Sequence, residues 1–65
     1  MKWTDSLEIG ITLNELYPDV DPLTLGFTDL RERILGLPGF DDDPKASNER
    51  RLEAIQMAWC DEREV

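Results

Sequence analysis

The sequence predicts a single, mainly α-helical domain over residues 1–65. Three segments carry apolar residues at helical spacing, and prolines and glycines separate them. No stretch alternates apolar and polar residues as a half-buried strand does. A chain of 65 residues lies near the lower size limit for folding without a disulfide or a metal. We therefore expect three helices with short helical turns in the connections.

The first predicted helix lies in the segment TDSLEIGITLNELYP. Thr4 or Asp5 is the expected N-cap, Glu8 completes a capping box, and Pro18 ends the helix. Apolar side chains within one arc of about 100° form the expected core face: Ile9, Leu13, Leu16 and Tyr17. A neighbouring arc of about 80° carries polar side chains: Asp5, Glu8, Thr12 and Glu15.

Part of this helix does not fit a simple amphipathic pattern. Leu7 and Ile11 lie on neither arc, so they must find a second contact or stay partly exposed. Gly10 costs about 1 kcal/mol relative to alanine inside a helix. We therefore expect another segment to approach the helix closely at Gly10.

The remaining helices follow from their caps. Asp21 before Pro22 predicts an N-cap and a short helical turn. Thr28 is the expected cap of the second helix, which ends at GLPGF and whose apolar residues are Leu30, Ile34 and Leu35. Ser47 or Asn48 starts the third helix, whose apolar side carries Leu52, Ile55, Ala58 and Trp59.

The run FDDDP places three carboxylates side by side before the third helix. Asp43 before Pro44 has the pattern of an N-cap followed by proline at the first helical position. Asp41 and Asp42 have no such role in the pattern. We expect both to project their charge into solvent.

Charge is the most informative feature of the composition. Fifteen acidic residues face seven basic ones, for a net charge of −8. Such a charge repels phosphate backbones and anionic lipid, and it attracts cations or a basic protein surface. Between Trp3 and Leu30 there is no Lys or Arg, and the acids there lack compensation. The six acids of this stretch are the candidate partner-binding residues: Asp5, Glu8, Glu15, Asp19, Asp21 and Asp29.

Several chemistries lack the residues they need. The chain has no histidine and one cysteine, so it cannot form an internal disulfide or ligate an iron–sulfur cluster by itself. Cys60 stands beside acids, which favours a structural thiol over a nucleophile. Trp3 and Trp59 are expected in the core. No catalytic motif is present, and no apolar run approaches the ~20 residues of a membrane span. We expect a cytoplasmic protein that is not an enzyme.

Metal ions and nucleic acid are two possible classes of ligand. The segment after the first helix does not match a calcium loop, because Leu30 stands in place of the bidentate acid. The carboxylates could still bind iron weakly, through Glu8, Glu15, Asp19 and Asp21. Because a helix rises 1.5 Å per residue, Glu8 and Glu15 lie about 10 Å apart and cannot share one ion. A cluster of four arginines suggests a DNA-binding helix-turn-helix, but the net charge argues against binding to nucleic acid. The cluster contains Arg31, Arg33, Arg50 and Arg51.

Taken together, five segments carry a resemblance. The motifs KWTDS with EIG, YPD, FTD, FDDDP followed by SNE, and LEAI occur in order along nearly the whole chain. They resemble the IscX (YfhJ-like) family of iron–sulfur cluster assembly accessory proteins. FDDDP followed by SNE is the specific part of the match. Three positions differ from the family pattern. Leu7 and Ile11 stand where the pattern leads us to expect polar residues, and Arg33 stands where it leads us to expect an aromatic residue.

The resemblance implies a fold and a function. The fold is an all-helical domain similar to a winged helix, in the cytoplasm. The function is an accessory role beside an IscS-type cysteine desulfurase, which supplies sulfur for cluster building on a scaffold protein, itself a possible partner. The family is associated with docking through an acidic face, weak iron binding and modulation of cluster formation. The alternative is a carboxylate-based iron donor or buffer with a frataxin-like role and no regulatory docking.

Overall fold

A computed structural model describes residues 1–64 and contains three helices, as expected. In chain order the elements are α1 (Ser6–Leu16), a 3₁₀ turn (Pro22–Thr24), α2 (Phe27–Leu35), a second 3₁₀ turn (Pro44–Ala46) and α3 (Glu49–Arg63). The described residues form no β-strand and hence no β-hairpin wing. The mainly helical class is confirmed, while the similarity to a winged helix stays a prediction.

The start of α1 is fixed by a local turn instead of a capping box. Asp5 is the N-cap residue, but its side chain makes no hydrogen bond to the first turn of the helix. Its carboxylate instead accepts from the backbone N–H of Lys2 at 2.8 Å. The predicted capping box between Asp5 and Glu8 is therefore wrong.

The core face of α1 is narrower than predicted. Ile9 and Leu13 are fully buried, whereas Leu16 is 50% exposed, so its placement in the core was wrong. Leu16 lies about 120° around the helix from Gly10 at 100° per residue. Gly10 is the position that contacts α3. Leu16 lies at the outer edge of the predicted core face and is the last residue of α1.

The close approach predicted at Gly10 is confirmed. A Cβ atom added to Gly10 would lie 2.9 Å from the Cβ and the carbonyl carbon of Ala58. Only glycine therefore allows α1 and α3 to pack at this distance. The buried apolar core comprises Trp3, Ile9, Leu13, Leu30, Ile34, Leu37, Leu52, Ile55 and Trp59.

The two proline turns begin as the sequence predicted. The carboxylate of Asp21 accepts from the backbone N–H of Leu23 at 3.0 Å, and that of Asp43 accepts from Lys45 at 2.9 Å. Each N-cap is followed by proline at the first helical position. Both turns are thus fixed by their local sequence.

The two longer helices after α1 differ in how they start. Asn48 caps α3 and accepts from the backbone N–H of Arg51 at 2.9 Å, which confirms one of the two predicted caps. The N-cap of α2 is Gly26, not Thr28, and it provides no side-chain acceptor. Because Phe27 packs against the core, the helix begins one residue before the predicted cap.

The run FDDDP holds Trp3 in place. The backbone N–H of Trp3 donates to the carboxylate of Asp42 at 3.0 Å, and its indole N–H donates to the carbonyl of Asp43 at 2.7 Å. The ring of Phe40 meets the indole edge-on, with centroids 4.8 Å apart. Trp3 is 1% exposed, so these contacts satisfy the polar groups that its burial would otherwise leave unpaired.

Asp41 binds Met1 and Lys2, the two residues that precede Trp3. Its carboxylate lies 3.1 Å from the Met1 ammonium and 3.4 Å from Nζ of Lys2. These two cations lower the pKa of Asp41, the ammonium most strongly. The expectation that Asp41 and Asp42 only project charge into solvent is therefore wrong, because both hold residues 1–3 against the loop before α3.

Candidate partner-docking surface

Three acidic side chains line one side of α1. Asp5, Glu8 and Glu15 fall within about 80° of one another around the helix, and all three are exposed. We call these three residues the acid stripe. The last turn of α1 carries no basic residue to offset them. The stripe thus extends over about three helical turns, with about 10 Å of helix between Glu8 and Glu15.

The acid stripe has no cationic partner in residues 1–64. Both ion pairs found there involve Asp41, in the loop before α3, and not a member of the stripe. A carboxylate without a nearby cation keeps its full negative potential toward solvent. The field of the stripe is therefore available to a partner molecule.

Four of the five arginines make contacts elsewhere in the fold. Arg31 donates to the carbonyl of Pro44 at 2.9 Å, Arg51 donates to that of Ala46 at 2.8 Å, and Arg63 donates to that of Val20. These guanidinium groups tie loops to helices by binding backbone oxygens, which carry no net charge. They therefore do not neutralise the carboxylates of the acid stripe. The count of charges in the sequence does not predict this arrangement.

Arg33 is engaged by an aromatic ring. Its guanidinium carbon lies 4.6 Å from the centroid of the Tyr17 ring, a cation–π distance. The two side chains line an open cleft of about 280 Å³ together with Asp29 and Glu32. Asp29, in the first turn of α2, is thus placed near the end of α1.

The other predicted acids lie off the stripe. Asp19 and Asp21 are exposed in the connection between α1 and α2. Asp21 lies close enough to Cys60 on α3 for its charge to raise the pKa of that thiol. The structure therefore brings three of the six predicted acids together on α1 and spreads the other three over the connection and α2.

No tight metal site is visible in the described part of the chain. Among residues 1–64, no group of three His, Cys, Asp or Glu side chains is arranged to hold a metal ion. Glu8 and Glu15 are separated by about 10 Å of helix, as the sequence indicated. The carboxylate of Asp21 is also occupied by the N–H of Leu23. The four acids predicted to bind iron do not converge into a chelating site.

Comparison with known proteins assigns the family. The family model described as iron-sulphur cluster assembly matches residues 1–64. The chain belongs to this iron–sulfur cluster assembly family. The resemblance found in the sequence motifs is thereby confirmed over nearly the whole chain.

A curated relative of this iron–sulfur assembly protein extends the match. It is an uncharacterised protein of Pseudomonas aeruginosa that is 55% identical over 64 residues, which is 98% of this chain and 97% of the relative. The similarity therefore covers both chains along nearly their full lengths.

Two further properties concern Cys60 and the lengths of the helices. Cys60 is half-buried, and its thiol pKa is raised, first by burial and then by the charges of Asp21, Asp61 and Glu64. Because the thiolate is the reactive form, these surroundings disfavour nucleophilic chemistry at Cys60. No helix within residues 1–64 is both long and apolar enough to cross a membrane.

Proposed function

We propose that this iron–sulfur assembly protein is a non-catalytic adaptor that docks its acid stripe onto a basic surface of a cysteine desulfurase. Docking there would modulate cluster formation on the scaffold. The single observation that carries the proposal is the stripe itself, whose three carboxylates are exposed and have no cationic partner within residues 1–64. Family membership supplies the pathway.

The physics of association supports a steering role for the stripe. Complementary charge across an interface accelerates encounter and selects partners more than it adds affinity. A chain of net charge −8 also repels nucleic acid and anionic membranes. The partner that these charges favour is therefore a protein surface rich in Lys and Arg.

A charge-matched pair of variants tests the proposal. Glu8→Lys/Glu15→Lys reverses two of the three acids of the stripe, whereas Glu53→Lys/Glu64→Lys reverses one exposed acid on α3 and one at its C-cap. Each pair raises the net charge from −8 to −4. In calorimetric titrations with purified cysteine desulfurase at low salt, the stripe variant should bind about tenfold more weakly or worse. The α3 variant should stay within about threefold of the wild type, a loss set by net charge alone. Equal losses in both pairs would refute docking through the stripe.

Iron binding, the second role that the resemblance implies, receives no support from the geometry. With no convergent ligand set in residues 1–64, iron would be held by single carboxylates and water. Calorimetry with Fe²⁺, Fe³⁺ and Ca²⁺ separates the two roles. Affinity for iron well above that for calcium, lost in Glu8→Lys/Glu15→Lys, would favour the iron-donor function over the adaptor.

A further inference from the structure

Beside the acid stripe lies an apolar strip that the described part of the chain covers only in part. Leu7 is 62% exposed, although leucine is a residue that proteins normally bury. Ile11, one turn later, is only partly buried. We call Leu7 and Ile11 the apolar strip. Neither residue belongs to the core of the domain.

The strip and the stripe form one continuous surface of α1. At 100° per residue, the order around the outside of the helix is Leu7, Ile11, Glu15, Glu8, with steps of about 20–40°. Gly10 and Ala58 lie on the inner side, where α1 meets α3. Leu7 and Ile11 therefore lie between the seam of the two helices and the carboxylates.

We infer that the apolar strip is the desolvated centre of the docking surface, and that its occupant is an apolar patch bordered by Lys and Arg on the cysteine desulfurase. This inference rests on the proposed adaptor function and names the contact that holds the complex together. Protein interfaces place apolar anchors in a central region and charged residues at the rim. Here the stripe supplies the charged rim on one side of the strip.

The charges beside the strip decide among possible occupants. A second copy of this chain, docked about a two-fold axis, would bring two acid stripes together and be repelled. An anionic membrane would be repelled for the same reason. A basic protein surface is attracted by the stripe and can cover the strip. The complex is expected to dissociate more slowly because of the strip and to form faster because of the stripe.

The experiment compares two leucines of similar exposure. Leu7→Gln removes the apolar anchor, and Leu23→Gln, at a position 67% exposed on the first 3₁₀ turn, is the matched control. Binding kinetics to immobilised cysteine desulfurase are measured for the full chain. Leu7→Gln should weaken binding about tenfold, mainly through faster dissociation, with an unchanged dependence on salt. Leu23→Gln should bind like the wild type, and Leu7→Met should restore affinity.

Each outcome bears on a different claim. If the wild type binds in a salt-dependent way and Leu7→Gln binds equally well, the strip is not part of the interface and the adaptor function stands. If the wild type does not bind at all, both proposals fail. If sedimentation shows a wild-type dimer that Leu7→Gln abolishes, the occupant is a second copy and the inference is wrong. Unchanged thermal unfolding of Leu7→Gln confirms that the variant is folded.

Discussion

The three aspartates of FDDDP show how one residue type takes different roles in a single loop. Asp43 caps a 3₁₀ turn, Asp42 accepts from the backbone of Trp3, and Asp41 binds two cations at the start of the chain. Only the role of Asp43 was predictable, because capping is local in sequence. The other two contacts span about 40 residues, and no local pattern encodes them.

At the residue scale we predict an acid-sensitive contribution from this loop. Hydrogen bonds from the N–H groups of Trp3 and Asp43 lower the pKa of Asp42, and the ammonium and Lys2 lower that of Asp41, both from 3.8. Because the folded-state pKa values are depressed, the stabilisation is complete above the unfolded value and is lost as the pH falls below it. Asp41→Asn/Asp42→Asn should therefore be less stable than the wild type near neutral pH and should lose less stability on acidification.

Thermal unfolding followed by circular dichroism between about pH 7 and about pH 3 measures this effect. Glu15→Gln is the control, since neither ion pair within residues 1–64 involves Glu15. It should leave the slope of stability against pH unchanged. A parallel loss of stability in the wild type and the double aspartate variant would show that this loop does not contribute.

At the scale of the elements, most of the fold was predictable and the exceptions have physical causes. The three helices, both proline turns and the close approach at Gly10 follow from local spacing and cap chemistry. The exposure of Leu16 does not, because it depends on the side from which α3 covers α1. The start of α2 at Phe27 likewise depends on packing, which outweighed the preference of Thr28 for a cap.

Gly10→Ala tests the packing of α1 against α3. The added Cβ would meet the backbone of Ala58 at 2.9 Å, so the helices must separate. We expect a net loss of about 1–2 kcal/mol in the free energy of unfolding, even though alanine has the higher helix propensity. Urea unfolding monitored by the fluorescence of the two buried tryptophans measures the change.

Gly36→Ala is the matched control for this substitution. Its added Cβ would lie 3.6 Å from the nearest atom, an ordinary contact, and the backbone φ of −86° suits any residue. Its free energy of unfolding should stay unchanged or rise by up to about 1 kcal/mol. If Gly10→Ala were as well tolerated as Gly36→Ala, the close approach of the helices would be contradicted.

At the scale of the whole molecule, the sequence predicted the excess of negative charge but not its distribution. Six acids without neighbouring bases suggested one acidic face. The fold gathers three of them on α1 and places Asp21 beside Cys60 on α3. That separation arises because Arg63 and Gln56 of α3 bind the carbonyls of Val20 and Pro22 and draw the connection after α1 onto α3. Side chains of α3 thus decide where the acids of a distant segment lie.

The contacts of the arginines explain why the acid stripe has no cationic partner within residues 1–64. Three of the five arginines bind backbone carbonyls and a fourth lies over Tyr17, so folding uses most of the guanidinium groups to hold loops in place. The sequence gives no local signal for this choice, because a carbonyl and a carboxylate are both acceptors for a guanidinium. The negative surface of α1 is the result.

The salt dependence of the association rate with a cysteine desulfurase tests this view most directly. In stopped-flow mixing, the rate constant of the wild type should fall steeply as ionic strength rises, because salt screens the attraction between the stripe and a basic surface. Glu8→Lys/Glu15→Lys should associate more slowly at low salt and show a much flatter dependence. A wild-type rate that does not change with salt, or a stripe variant with the same slope as the wild type, would contradict it.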